Sequence, residues 1–114
     1  MTLDLIDFLH RQRRFSRKTF GPFDRTKGVL DHIRKELIEI EKEPDDIEEW
    51  IDVVLLALDG ASRRGHSPEA IVAALDAKLT KNELRNWPDW RTMSADKAIE
   101  HVRANDNSRK EDAA

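Results

Sequence analysis

The sequence predicts an all-α protein: a four-helix bundle with a short C-terminal helix, oligomeric in its working form. Three observations carry this. Breaks are few and fall between periodic stretches, at Gly21-Pro22, Pro44, Gly65 with Pro68, and Pro88. The stretches between them are rich in Leu, Ala, Glu, Lys and Arg, all strong helix formers, and none alternates as a half-buried strand does. Finally, the chain has 114 residues, 39% hydrophobic and 38% charged. A chain this short and polar buries enough apolar surface more readily when its helices also pack against a neighbouring subunit.

The first helix is expected over about residues 2–17, with Leu3, Leu5, Ile6 and Leu9 as its apolar stripe. A basic cluster of Arg11, Arg13, Arg14, Arg17 and Lys18 follows. The second helix is expected over about 26–42, where Val29, Ile33, Leu37 and Ile40 recur at helical spacing. The third runs over about 46–63, with Asp45 as N-cap and Glu48 as its acidic partner three residues on. The fourth runs over about 68–85, because Ser67 is a good N-cap, Pro68 suits the first helical position and Glu69 complements the dipole. A short fifth helix is expected from Ser94 to about Arg103. One domain spans 1–103, and the polar segment 104–114, with no apolar anchor, is expected to be a disordered tail.

Composition excludes several chemistries. With zero cysteines there is no disulfide framework, thiolate zinc site or cysteine nucleophile. No apolar run reaches membrane-spanning length, and the N-terminal stretch MTLDLIDFLHRQ carries acids where a secretory signal would be apolar. A cytoplasmic protein is the expectation. The net charge of −3 argues against a dedicated nucleic-acid binder, although the Arg11–Lys18 cluster keeps a local contact open.

The acids are less ordinary. On a helical wheel, His32, Glu36 and Glu39 form a stripe along one margin of the second helix's apolar face. On one helix alone this reads first as a solvated edge. The third helix is different. Its centre, Val53 to Leu58, is continuously apolar, it has no basic residue before Arg63, and Leu56 sits among the carboxylates of Glu49, Asp52 and Asp59. A helix apolar nearly all round is expected to be buried, and its acids must then be paired, protonated or bound to cations. Residues 40–48 separate Glu39 from Glu49, enough for a tight helical hairpin. Glu36 with Glu39 and Glu49 with Asp52 can then face each other, an oxygen-rich set suited to Mg²⁺ or Mn²⁺.

The fourth helix turns cationic in its last two turns, where Lys78, Lys81, Asn82 and Arg85 fall near its apolar stripe. These could hold a triphosphate, or could simply answer the helix dipole. Trp87 and Trp90, flanking Pro88, could stack on a base or anchor a loop. His32 suits a phosphate contact or a structural hydrogen bond equally.

Glu36-Leu37-Ile38-Glu39 followed by Glu49-Trp50-Ile51-Asp52 resembles the E-x-x-E…E-x-x-D signature of the MazG-like all-α nucleoside triphosphate pyrophosphohydrolases. The wider text, HIRKELIEIEKEPDDIEEWIDVVLLALDGASRRGHSPE with AKLTKNELRNWPDWR and KAIEHVR, is similar to the small dATP/dGTP diphosphohydrolase branch over residues 1–103. The resemblance implies a Mg²⁺-dependent cut between the α- and β-phosphates of purine deoxynucleoside triphosphates, yielding a monophosphate and pyrophosphate. By motif position it implies Glu36, Glu39, Glu49 and Asp52 as ligands to two or three ions. Glu39 is the candidate acceptor of the attacking water's proton. It also implies assembly as a homo-dimer or tetramer. The competing reading is a non-catalytic helical interaction module, which has no need of four converging carboxylates.

Overall fold

The computed structural model describes residues 2–103. Its helices are α1 (Leu5–Phe20), α2 (Thr26–Lys42), α3 (Ile47–Arg63) and α4 (Pro68–Leu84), followed by a 3₁₀ turn at Trp90–Thr92. The all-α expectation holds: among the described residues, the only extended pairing is an isolated bridge between Asn86 and Val102. The proposed tail, 104–114, lies outside the described residues. None of the described helices is long and apolar enough to cross a membrane.

The chain divides into two compact units, Met1–Leu75 and a second beginning at Asp76, with the boundary inside α4. In the first unit, each helix end has a local cause. Asp4 caps α1 by accepting the Asp7 N–H at 3.1 Å, so α1 starts three residues later than its apolar pattern suggested. It stops at Gly21, whose φ of +91° favours a residue without a Cβ. Asp24 accepts from the Thr26 N–H and hydroxyl at 3.0 and 2.6 Å, which fixes the entry to α2. The cap of α3 is Asp46, accepting the Glu48 N–H at 2.9 Å, and not Asp45. The Asp46 N–H itself donates to the Glu43 carbonyl, so the turn closes one residue further along than expected. The Trp50 indole N–H donates to the Pro44 carbonyl at 2.9 Å and ties α3 back to that turn. Ser67 caps α4 as expected, accepting the Ala70 N–H at 3.1 Å.

The closest-packed pair is α2 with α3, and α1 lies against α3. Gly60 lets α3 come close to α2, since a Cβ there would stand 3.4 Å from a Val29 methyl. The core is small: Leu9 of α1, Val29 and Ile40 of α2 and Ile71 of α4 are its buried hydrophobic residues. The expected burial of α3 is not reached within one chain. Ile47, Trp50, Ile51 and Val54 are 71%, 52%, 44% and 49% exposed.

In the second unit, the Val102 N–H donates to the Asn86 carbonyl at 2.7 Å, and Trp87 meets His101 edge to face with ring centres 5.9 Å apart. The expected helix over Ser94–Arg103 does not form. Ser94 instead accepts the Asp96 N–H in a turn, and the chain returns to pair with Asn86. A helix of about ten residues is marginal without a packed face, and Ile99 and Val102 are its only large apolar residues. The 3₁₀ turn arises where Asp89 accepts the Arg91 N–H at 3.0 Å.

Candidate metal centre and adjoining cavity

The α2–α3 hairpin sets the last third of α2 beside the first turns of α3. Glu36, Glu49 and Asp52 each bring a carboxylate oxygen within 4.8 Å of the other two. Glu36 and Glu49 are half-buried and Asp52 is exposed. No basic side chain is paired with Glu49 or Asp52 among the described ion pairs. His32 stands one helical turn before Glu36, its Nε2 3.4 Å from a Glu36 oxygen. Glu39 does not belong to this compact triad and its side chain is exposed, yet its charge is felt there. The Glu49 carboxyl titrates above its ordinary value. Partial burial is the largest cause, followed by the charges of Glu36, Asp46, Glu39 and Asp52.

The donor set fits a hard divalent cation. Oxygen ligands about 2.1 Å from Mg²⁺ stand at most about 4.2 Å apart, so the 4.8 Å spread closes onto an ion with small side-chain adjustments. Such an ion would neutralise the repulsion that the three acids otherwise impose on one another.

A cavity of about 250 Å³ adjoins the triad between α1, α2 and α3. Glu36 and Asp52 form part of its wall, as do His32, Gln12, Phe15 and Asp59. Sequence reasoning had not connected Gln12 or Phe15 with the site, because nothing in the sequence fixes how α1 lies on α3. Asp59 shares α3 with Glu49 and Asp52 of the triad. Its carboxylate is satisfied differently, by Arg63 at 2.9 Å.

The cationic residues of α4 have mixed local roles. Lys78 and Lys81 are exposed. Asn82 accepts from Arg85 at 3.0 Å through its side chain and from the Trp87 indole at 2.7 Å through its carbonyl. Arg85, Asn82 and Trp87 therefore help finish α4. Trp90 is 72% exposed.

The model of the dATP/dGTP pyrophosphohydrolase family matches residues 8–106. The chain belongs to that family. No curated protein and no solved structure gives a significant match to it. The protein is thus an enzyme that hydrolyses the purine nucleotides dATP and dGTP, releasing pyrophosphate. The match spans α2 and α3, and with them the whole carboxylate triad. As a member of this family, the enzyme is not the interaction module weighed as the alternative.

Proposed function

We propose that this dATP/dGTP pyrophosphohydrolase works with Mg²⁺, or Mn²⁺ in its place, held by Glu36, Glu49 and Asp52, with Glu39 beside them. The convergence of three carboxylate oxygens within 4.8 Å is the observation that supports the reading. When bound, such an ion supplies charge neutralisation at the phosphates and lowers the pKa of water at neutral pH. The chain's residues do the rest. Glu36, Glu49 and Asp52 fix the cation's position on two packed helices. Glu39, the exposed acid of the set, accepts the proton as water attacks the α-phosphorus and the bond to the β-phosphate breaks. His32, one turn before Glu36 on α2, holds that carboxylate.

Product analysis tests this reading. With Mg²⁺, chromatography should show dATP or dGTP converted to monophosphate and pyrophosphate, with activity lost in chelator and restored by Mg²⁺ or Mn²⁺. Diphosphate and free phosphate as first products, or activity indifferent to chelator, would overturn it.

We also propose a homo-oligomer, dimer or tetramer. Ile47, Trp50, Ile51 and Val54 of α3, with Leu37 and Ile38 of α2, are all 44% exposed or more in the single chain. An apolar set of this size marks an interaction surface, and a second copy on a two-fold axis offers it a matching one. Light scattering at micromolar concentration should give a mass of at least two 13.2 kDa chains. Thermal stability should rise with protein concentration. A monomer with full activity would refute the oligomer.

A further inference from the structure

The basic run on α1 is not used by the hydrolysis proposed above. Between Asp7 and Asp24 the chain has no acidic residue, while Arg11, Arg13, Arg14, Arg17 and Lys18 crowd into residues 11–18. All five lie on α1. None has an acidic partner among the described ion pairs. Arg17 and Lys18 stand near the C-terminal end of the helix, where its dipole favours cations. The dipole gives no reason for the other three, in the middle of the helix.

Arg11, Arg14 and Lys18 are spaced i, i+3, i+7, so they share one face of α1, and all three are exposed. They extend over about 10 Å of the helix axis, at about 1.5 Å per residue. Arg13 and Arg17, half-buried, flank them. The Arg11 guanidinium lies over the Phe8 ring, 5.3 Å from its centre. This cation–π contact steadies the group and leaves the N–H edge for an anion. Phe23, three residues beyond α1, is 78% exposed, and its carbonyl is held by Arg63 at 2.8 Å. A ring so open to water, on a backbone held in place, adds little to the core and has a face available for stacking.

We infer that this face of α1 binds a single strand of nucleic acid, with Arg11, Arg14 and Lys18 on its phosphates and Phe23 stacked on a base. A line of cations without acidic partners suits a repeating anion. A strand supplies a phosphate about every 3.4 Å in a duplex, and at wider spacing when extended. The exposed aromatic favours a single strand, whose bases are open to stacking, over a duplex, whose bases stack on one another. It also favours a strand over an acidic peptide, which has no base to offer. The net charge of −3 keeps such binding local and sensitive to salt. The face shares no residue with the α2 and α3 set proposed for the oligomer, and the assignment is independent of the metal-centred reading. Its consequence is that hydrolysis of dATP and dGTP takes place beside a strand rather than in bulk solution.

Fluorescence anisotropy of the full chain with a labelled oligothymidylate, in EDTA, tests this. Thymine offers no purine to the substrate site, and EDTA strips divalent cations from the carboxylates, so neither can account for binding. Three phosphate contacts on a single strand give a slope of about −2 in log affinity against log salt, so affinity should fall about 20-fold between about 50 and 200 mM salt. Changing Arg11, Arg14 and Lys18 together to Gln should weaken binding at low salt about tenfold or more and flatten that slope. Phe23→Ala should weaken the single strand about fivefold or more and leave a duplex of the same length unaffected. Hydrolysis of dATP by both variants should match wild type, which shows that they fold and that the face does not serve the substrate. Absence of binding at about 50 mM salt, or equal binding by the triple variant, overturns the proposal. Polyglutamate or phosphatidylserine vesicles binding as tightly at equal charge would assign the face to an acidic protein or a membrane, and would overturn it too. A triple variant that loses dATP hydrolysis together with the oligonucleotide would assign the face to the substrate, with the same result.

Discussion

Replacing Glu36, Glu49 or Asp52 with alanine is expected to lower dATP and dGTP turnover by more than about 100-fold, while the helices stay folded. Loss of an outer-sphere partner of a metal ligand alone commonly costs about 10–100-fold, and these three side chains are the proposed ligands themselves. Folding should survive because the three acids oppose one another in the metal-free protein. Glu49 titrates above its ordinary value first because it is partly buried, and then because of the charges of Glu36, Asp46, Glu39 and Asp52. The sign follows directly. A carboxyl whose folded pKa lies above its unfolded one binds a proton more tightly in the folded state. Metal-free protein therefore gains stability from Glu49 as pH falls through the carboxylate range and loses it as pH rises through the folded pKa. Glu49→Gln removes that dependence and should leave the metal-free protein at pH 7 at least as stable as wild type. Mg²⁺ should then raise the melting temperature of wild type, because it binds only the folded chain, and should do little for the variants. Near-normal turnover in any one of the three would remove that residue from the ligand set. Glu39→Ala is the informative comparison. It should also lose turnover, as the proposed proton acceptor, yet keep most of the Mg²⁺-induced stabilisation, since it stands outside the compact triad.

The helices were legible because their signals are local. Ser67 and Pro68 start α4, and the Gly21-Pro22 break ends α1, through backbone chemistry that needs no tertiary context. The acids of α3 were legible as a problem: a largely apolar helix with carboxylates demanded partners. The structure answers that demand in two ways, since Glu49 and Asp52 converge with Glu36 while Asp59 takes Arg63 four residues on. The second answer was available in the sequence as an i, i+4 pair. What stayed hidden depends on how the backbone closes on itself, within a turn or between distant segments. Whether Asp45 or Asp46 caps α3 turns on the hydrogen bond that closes the Glu43–Asp46 turn. In place of a helix over Ser94–Arg103, Val102 pairs with Asn86 and His101 meets Trp87, contacts with no local signature. The pairing of Gln12 with the Leu55 carbonyl, across 43 positions of sequence, has no local signature.

Arg63→Ala is expected to destabilise the fold by about 3–5 kcal/mol, the usual cost of removing one partner from a buried ion pair. The geometry points to the upper part of that range. The Arg63 side chain is only 2% exposed, and all five of its N–H groups are used. Nε donates to Asp59 at 2.9 Å, Nη1 to the Gly21 and Phe23 carbonyls at 2.8 Å each, and Nη2 to the Ser16 hydroxyl and carbonyl at 2.8 and 3.2 Å. Four of the five bonds thus pin the end of α1 and the loop after it to α3. Removing the guanidinium strands a nearly buried Asp59 carboxylate and leaves three main-chain carbonyls without this donor. An apolar replacement of both Arg63 and Asp59 should not restore stability, because those carbonyls still lack a donor. Arg63→Lys keeps the charge but offers three donors from one point, so it should recover only part of the loss. Ser16→Ala deletes a single one of the five bonds and should cost about 1 kcal/mol. For a domain of this size each kcal/mol moves the melting temperature by about 4–8 °C, so Arg63→Ala should melt at least about 12 °C below wild type at equal protein concentration. The effect should also reach the cavity beside the carboxylates: Phe15, Ser16 and Phe20 lie on the segment that Arg63 holds, and all three line it. Arg63→Lys, if folded at the assay temperature, should accordingly show a raised KM with kcat less affected. A melting temperature for Arg63→Ala within a few degrees of wild type would mean that water or a neighbouring group takes over the five bonds, and the clamp would lose its role.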